Sequence, residues 1–460
     1  MEKNIIKLTD SYKVTHHLLY PPDTETIYSY FESRGGEFSY SIFYGLQYFL
    51  KEYLEGKVIN REKINEAKKL FKQHFNGNKE LFNLDGWKYI LDAHDGKLPI
   101  SIKAVPEGKK VETSNVLMTI ENTDPKCFWL TNYLESLLVQ VWYPTTVATI
   151  SNIMKNEILH FLELTGDPSQ IEFKLHDFGF RGVSSVESAS VGGSAHLINF
   201  KGTDNIISLD FINKYYGADV NYTPGFSIPA SEHSTMTAWG RDYEYRAMEN
   251  MLDQFPKGTI ACVSDSFDIY NACSEIWGER LKDKVINRDG TLVIRPDSGY
   301  PPDVVCNVLE ILGEKFGYSL NEKGYMVLNP KVRVIQGDRV DYKMLQSILG
   351  QMTIKNWSAD NIYFGMGSGL LQKLNRDTLE FAFKCSAIKR SGKWHDVYKQ
   401  PSTGPEKNSK KGRMKLVKTK SGYETKRIED KGEDQLVEVF RDGEILKEYN
   451  FEEVIKNSKE

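Results

Sequence analysis

From residue 171 onward the chain repeats one pattern. A short unbroken apolar run ends in Gly, Asp, Ser or His, and an amphipathic stretch of helical period often follows. The runs lie at 172–177, 197–200, 226–228, 260–263, 292–294, 332–335, 362–364 and 381–383. Helical periodicity spans 206–216, 235–255 and 269–281. Runs with no polar break read as strands buried on both faces of a parallel sheet. The clearest unit is Leu292-Val293-Ile294, its polar exit Arg295-Pro296-Asp297-Ser298-Gly299, then Val304, Val308, Leu309 and Leu312 at helix spacing. Eight such strands predict a (β/α) barrel over 171–385. An open doubly wound sheet is the competing arrangement.

Either side of this region the pattern changes. Residues 25–31 alternate and are aromatic and β-branched, which predicts a strand. Residues 43–54 and 62–75 read as helices, and 98–120 as short strands with turns at Val105-Pro106-Glu107-Gly108 and Thr113-Ser114-Asn115. Asp124-Pro125 opens a helix expected to end before Pro144, and a second follows Thr145-Thr146. After Ser386 the chain turns polar and basic over 402–413, then alternates again at 436–440 before the Arg441-Asp442-Gly443 turn.

Composition narrows the class. The 460 residues are 40% hydrophobic and 27% charged, ordinary globular values with room for two or three domains. A formal net charge of -4 argues against a dedicated nucleic-acid binder. The start, Met1-Glu2-Lys3-Asn4-Ile5, has no apolar core of a signal peptide. The most apolar stretch, 134–142, is broken by Glu135 and Gln140, so no membrane span is expected. Five cysteines with no C-x-x-C fit free thiols in a reducing cytoplasm.

The strand exits carry the candidate chemistry. They bring His176-Asp177-Phe178-Gly179-Phe180-Arg181, Gly202-Thr203-Asp204, Ser227 through His233, Ser264-Asp265-Ser266, Arg295-Pro296-Asp297, Gly337-Asp338 and Gly367-Ser368-Gly369. In a barrel all would face one end. Arginines, carboxylates and a glycine-rich turn ahead of a helix suit a phosphorylated sugar carrying Mg²⁺. Each element has a plainer reading. Gly-x-Gly-x-Gly alone is an ordinary turn, His176 a satisfied structural histidine, and His233 a solvated loop residue. Lys407, Lys410, Lys411 and Arg413 read as a solvated loop, or more sharply as a flap over phosphates.

In this order the motifs HDFGFRG, NFKGTD, SEHS, SDSFDIYNAC, IRPDSG, VIQGD and LLQKLNRD resemble the nicotinate/nicotinamide phosphoribosyltransferase family, and within it the nicotinamide enzymes. So do Thr9-Asp10-Ser11-Tyr12-Lys13-Val14-Thr15-His16 and the Val105–Gly108 turn, and the resemblance covers nearly the whole chain. It implies a type II phosphoribosyltransferase: an irregular (β/α) barrel, 171–385, plus a mixed α+β domain built from both chain ends, 1–170 and 386–460. It implies a cytoplasmic homodimer that joins nicotinamide to phosphoribosyl pyrophosphate in NAD salvage, with Mg²⁺ held mainly through substrate phosphates. ATP would be a co-substrate that phosphorylates His233.

By match to the family motifs, Arg181, His233 and Arg295 would hold pyrophosphate. Asp204 would contact the base. Arg295, Asp297, Gly337, Asp338, Ser368 and Arg376 would hold the nucleotide, with Ser227, Gly367, Lys384 and Lys399 as further substrate contacts. Phe178 and the partner subunit's Tyr12 would sandwich the pyridine, with Asp10 beside Tyr12, and Asp265 would orient His233. The chemistry of the residues agrees: displacement at the anomeric carbon puts positive charge on the sugar and negative charge on pyrophosphate. Departures are Ser368 in a turn that is glycine in the family, so that it must bind through its backbone, Ala261 where a serine is common, and a short loop after Phe31. Nicotinate phosphoribosyl transfer and a non-catalytic ligand-binding or signalling role on the same scaffold are the alternatives.

Overall fold

The apolar runs become a parallel sheet. The computed structural model of the chain describes residues 3–217, 222–403 and 408–460. It divides into two units, one of 150–212 and 219–374, the other of 1–149, 213–218 and 375–460.

In the first of these, six parallel strands lie in the order Gly202–Thr203, Leu175–Asp177, Ile362–Met366, Val332–Gln336, Leu292–Arg295 and Ile260–Val263. The two edges do not stay open. Phe226 bridges Gly202, and Ala230 bridges Ala261, both in parallel sense. Thr203 N–H donates to Phe226 O at 2.9 Å and Ser231 N–H to Ala261 O at 2.9 Å. The sheet therefore closes into an irregular barrel through the segment 226–231. That segment makes single bridges rather than a ladder, and Pro229 within it removes a donor.

Alternation along each strand sorts the core. Ala261, Val293 and Ile335 point inward and pack with Phe178, Ile228 and Tyr363. Leu292, Ile294, Val334 and Phe364 are buried on the other face. Each such aliphatic side chain contributes about 1.5–3 kcal/mol on burial. Helix Pro301–Phe316 packs on the Tyr342–Ile354 helix, and its Val304, Val308 and Leu312 are buried. It starts with proline in its first turn and ends at Gly317, whose φ is +84.

Two expected barrel strands are corrected. Leu197, Ile198 and Phe200 are buried, but in the turn that follows helix Val186–His196, with Phe200 N–H donating to His196 O; the strand is Gly202–Thr203. A short apolar run cannot by itself separate a helix end from a strand. Residues 381–383 open a ten-residue strand, Phe381–Arg390, of the other unit, where it pairs antiparallel with Thr24–Ser33. Its alternation continues past 383, and the turn at Ser391-Gly392 returns it to Lys393–Asp396 instead of to a helix.

That second unit is built on a seven-stranded antiparallel sheet ordered Lys393–Asp396, Phe381–Arg390, Thr24–Ser33, Val116–Asn122, Ile100–Ala104, Val437–Arg441 and Glu444–Ile445. The Pro106-Glu107-Gly108 turn anchors it. Glu107 is buried and accepts from Gly45 N–H (3.0 Å), Gln47 N–H (2.6 Å) and the Tyr216 hydroxyl (2.6 Å). Gly108, at φ +92, lies against Val454 O, where a Cβ would come within 2.1 Å. Helix Trp142–Thr165 runs through Pro144 rather than starting after it, because proline in the first turn forfeits no intrahelical bond. Among the described residues no helix is long and apolar enough to cross a membrane.

Candidate active site

The C-terminal ends of the barrel strands gather the groups expected there. Asp265 follows strand Ile260–Val263 and is the centre of the arrangement, with its side chain 4% exposed. Its Oδ1 lies 3.1 Å from His233 Nε2. Its Oδ2 accepts Asp297 N–H at 3.1 Å and the Ser298 hydroxyl at 2.6 Å. One carboxylate thus fixes both the histidine and the exit loop of Leu292–Arg295. The histidine loop is pinned from behind as well, since Val263 N–H donates to Ser231 Oγ at 2.9 Å.

His233 itself is 45% exposed. Its Nδ1 lies 3.9 Å from Asp297 Oδ2, and Arg295 Nη2 lies 3.7 Å from the same oxygen. Burial raises the Asp297 carboxyl above its ordinary value, and the Asp265 and Asp338 charges add to this while Arg295 opposes it. Arg295 Nε is buried without a partner. Such an orphan donor at a strand exit is satisfied when an anion binds.

Beneath these groups the barrel holds a cavity of about 260 Å³, lined by Phe178, His176, Asp204, Ser227, Ala261, Val293, Ile335 and Tyr363 among others. Phe178 lies over Gly365, where a Cβ would meet its ring at 2.0 Å. Asp204 accepts the Ser227 hydroxyl, and Asp204 N–H donates to Asp177 O at 3.0 Å. Asp177, fully buried, accepts Gly179 N–H at 2.7 Å and Asn205 Nδ2 at 3.0 Å. A flat aromatic, an exposed carboxylate and an apolar floor suit a small aromatic ring bearing a hydrogen-bond donor.

Arg181 is exposed on the short 3₁₀ turn Phe180–Gly182. Gly182 abuts Ser368, whose hydroxyl donates to Gly182 O at 3.3 Å, so the Ser368 side chain is already engaged. Gly369 must be glycine, because a Cβ would come within 2.6 Å of Val340 O. Asp338 and Gly337 follow strand Val332–Gln336 and are partly exposed. Among the described residues no trio of His, Cys or carboxylate ligands converges at these exits. Asp297 and Asp338 offer hard oxygen donors that fit a Mg²⁺ ion arriving on a polyphosphate rather than a resident one.

The remaining predicted residues belong to the other unit. Asp10 accepts the Ser136 hydroxyl at 2.6 Å, and Tyr12 is 59% exposed with its ring edge-on to His16 at 4.9 Å. Lys384 lies on strand Phe381–Arg390, where burial lowers its pKa and the charges of Arg34, Arg376 and Lys399 lower it further. Glu135 opposes them. Arg34 was not singled out from sequence, yet its Nη2 is buried without a partner. Lys407 lies outside the described residues. Lys410 pairs with Glu32, and the Arg413 guanidinium stacks on Trp394 at 4.6 Å, so this part of the basic run is tied to its own unit.

Comparison with known proteins fits this geometry. Residues 173–444 match the nicotinate phosphoribosyltransferase family model, and residues 4–102 match the nicotinamide phosphoribosyltransferase N-terminal domain. The chain belongs to the nicotinate phosphoribosyltransferase family. A nicotinamide phosphoribosyltransferase of Xanthomonas campestris pv. campestris is 48% identical over 463 residues, covering 98% of this chain and 97% of that protein. One of Mycoplasma pneumoniae is 33% identical over 439 residues, covering 88% and 94%. Two solved structures share the fold at 14% identity. They are nicotinate-nucleotide pyrophosphorylase of Pyrococcus furiosus (TM-score 0.63, covering 100% of this chain and 96% of that one) and human nicotinic acid phosphoribosyltransferase (TM-score 0.54, 98% and 93%).

In the phosphoribosyltransferase family span fall the whole barrel site and Arg376, Lys384 and Lys399; Asp10, Tyr12 and Arg34 fall in the N-terminal match. The inner wall of the family's barrel was less visible in the sequence. His176 is a wall of the cavity, not only a structural histidine, and Tyr363 lies 6.5 Å from it, ring to ring. The available signal was strand alternation: 176, 261, 293, 335 and 363 are the inward positions of their strands.

Proposed function

We propose that the chain transfers the phosphoribosyl group of phosphoribosyl pyrophosphate to nicotinamide, giving nicotinamide mononucleotide and pyrophosphate for NAD salvage. The observation that carries this is the exposed Asp204 carboxylate, which lines one largely apolar cavity together with Phe178, at the same strand exits that carry the Arg295/Asp297/His233 group. The pyridine nitrogen attacks the anomeric carbon. The carbon–oxygen bond to pyrophosphate breaks, and its electron pair leaves with the phosphate. Phe178 holds the ring and favours the pyridinium product by about 0.5–2 kcal/mol. Asp204 accepts from the amide NH₂ and repels a carboxylate, which selects nicotinamide over nicotinic acid. Arg181 and Arg295 hold the leaving pyrophosphate, and Asp297 and Asp338 would hold a Mg²⁺ ion carried on the phosphates, which would supply charge neutralisation there.

ATP acts through His233 in this reading. Asp265 takes the Nε2–H, so Nδ1 presents its lone pair beside Asp297. Nδ1 attacks the γ-phosphorus, the bond to the bridging oxygen breaks, and ADP leaves with that electron pair. The enzyme works as a homodimer in this reading, with Tyr12 and Asp10 serving the barrel of the second copy and Arg376, Lys384 and Lys399 as further substrate contacts. Exposed Trp239, Tyr243, Phe267, Tyr270 and Tyr300 on the barrel unit support a buried face there. Free thiols at all five cysteines fit a cytoplasmic location.

The test is a discontinuous assay for nicotinamide mononucleotide with and without ATP. Wild type should form it and be stimulated by ATP. His233→Ala should lose ATP hydrolysis and stimulation while keeping slow ATP-independent synthesis. Unchanged phosphate release in that variant contradicts the phosphohistidine, and no mononucleotide from wild type contradicts the activity.

A further inference from the structure

Away from the strand exits, the antiparallel-sheet unit gathers a second set of donors. His94, Asp124 and Cys127 each offer one ligand atom, and the three atoms all lie within 4.8 Å of one another. The backbone brings them together. His94 caps the end of helix Leu84–Ala93, while Asp124 caps, and Cys127 ends, the 3₁₀ turn Pro125–Cys127 that follows strand Val116–Asn122. Asp124 Oδ1 accepts Lys126 N–H at 2.8 Å, which fixes the carboxylate. Its Oδ2 meets His94 Nε2 at 2.8 Å and accepts the Tyr89 hydroxyl at 2.9 Å. Cys127 is a buried free thiol. The His94 and Asp124 side chains are part-exposed, which leaves a path from solvent. Nothing in phosphoribosyl transfer uses these groups.

We propose that His94, Asp124 and Cys127 form a binding site for one divalent cation of the zinc class. The donor set decides the class. Imidazole nitrogen and thiolate sulfur suit zinc and its neighbours, whereas Mg²⁺ and Ca²⁺ take oxygen. Three protein ligands and one water complete a tetrahedron. Tyr89 then serves as the outer partner that orients the carboxylate. Ligands stand about 2.0–2.3 Å from such an ion, so His94 and Cys127 close in by side-chain rotation. The metal–sulfur bond replaces the thiol S–H bond, and that proton leaves to solvent. The His94–Asp124 contact gives way to one bond from each group to the ion. The bound ion clasps the end of helix Leu84–Ala93 to the turn before Leu130, and so it stabilises the unit without entering the reaction.

The test uses the full chain, freed of metal by a chelator and titrated with Co²⁺ as a spectroscopic probe. One equivalent should bind with a thiolate-to-cobalt charge-transfer band in the near ultraviolet, and Zn²⁺ should displace it. Cys127→Ser should abolish the band. His94→Gln, at a part-exposed position that tolerates change, should weaken binding by more than about a hundredfold, beyond the loss typical of an outer-shell partner. Should Cys127→Ser fail to fold, His94→Gln and Asp124→Asn decide. Absence of the band in wild type, or its survival at full affinity in the His94→Gln variant, overturns the site.

Discussion

Gly365 has no side chain because Phe178 occupies the place where one would go. A Cβ there would lie 2.0 Å from the Phe178 ring. Gly365→Ala must therefore push the ring aside, an overpacking cost of about 1–3 kcal/mol. The expected result is a rise in KM for nicotinamide, with kcat/KM down about tenfold or more, and little change in KM for phosphoribosyl pyrophosphate. Equal losses for both substrates would mean that Phe178 does not hold the base. At this scale the exits were legible because polar residues ending an apolar run stand out. The partners of each residue were not. That Ser368 spends its hydroxyl on Gly182 O, and that Arg34 acts electrostatically on Lys384, depends on segments that meet only in the fold.

Two strand exits are tied by one buried acid. Asp177 links Gly179 on the Phe178 loop to Asn205 beside Asp204, so it sets both walls of the base pocket. Burial raises its carboxyl from 3.8 to about 6, against the two hydrogen bonds that favour ionisation. Because the folded state holds this proton more tightly, its contribution to stability is greatest below about 4. It declines as pH rises to about 6 and is constant above, a change worth about 3 kcal/mol. The wild-type minus Asp177→Asn difference in unfolding free energy should therefore fall across that window in urea titrations. A difference that stays flat or rises would show that the carboxyl is ionised throughout. Elements were legible where period and length agreed, as in 260–263 and 332–335. They failed at 197–200, where a helix end looks like a strand, and at 381–383, where only pairing with Thr24–Ser33 decides the sheet.

At the scale of the whole molecule the proposed homodimer makes the second copy the source of Tyr12. Its ring is exposed in its own unit, so it is free to cover a pyridinium elsewhere. Losing it should cost about 1–2 kcal/mol, roughly a tenfold loss in rate. Co-refolding Tyr12→Ala with Asp297→Ala chains should restore activity, since one site of each heterodimer is then intact. No recovery, with heterodimers demonstrably present, would place Tyr12 at its own chain's site.

The central claim is that Asp204 beside Phe178 selects an amide-bearing pyridine for phosphoribosyl transfer. One vessel tests it: purified protein with phosphoribosyl pyrophosphate, Mg²⁺ and equal concentrations of nicotinamide and nicotinic acid, the two mononucleotides being quantified by mass. Like charge at the base site predicts nicotinamide mononucleotide in excess by about a hundredfold or more. Asp204→Asn should bring the two products much closer together. Comparable amounts of both products from wild type, or an excess of the acid, would contradict the account.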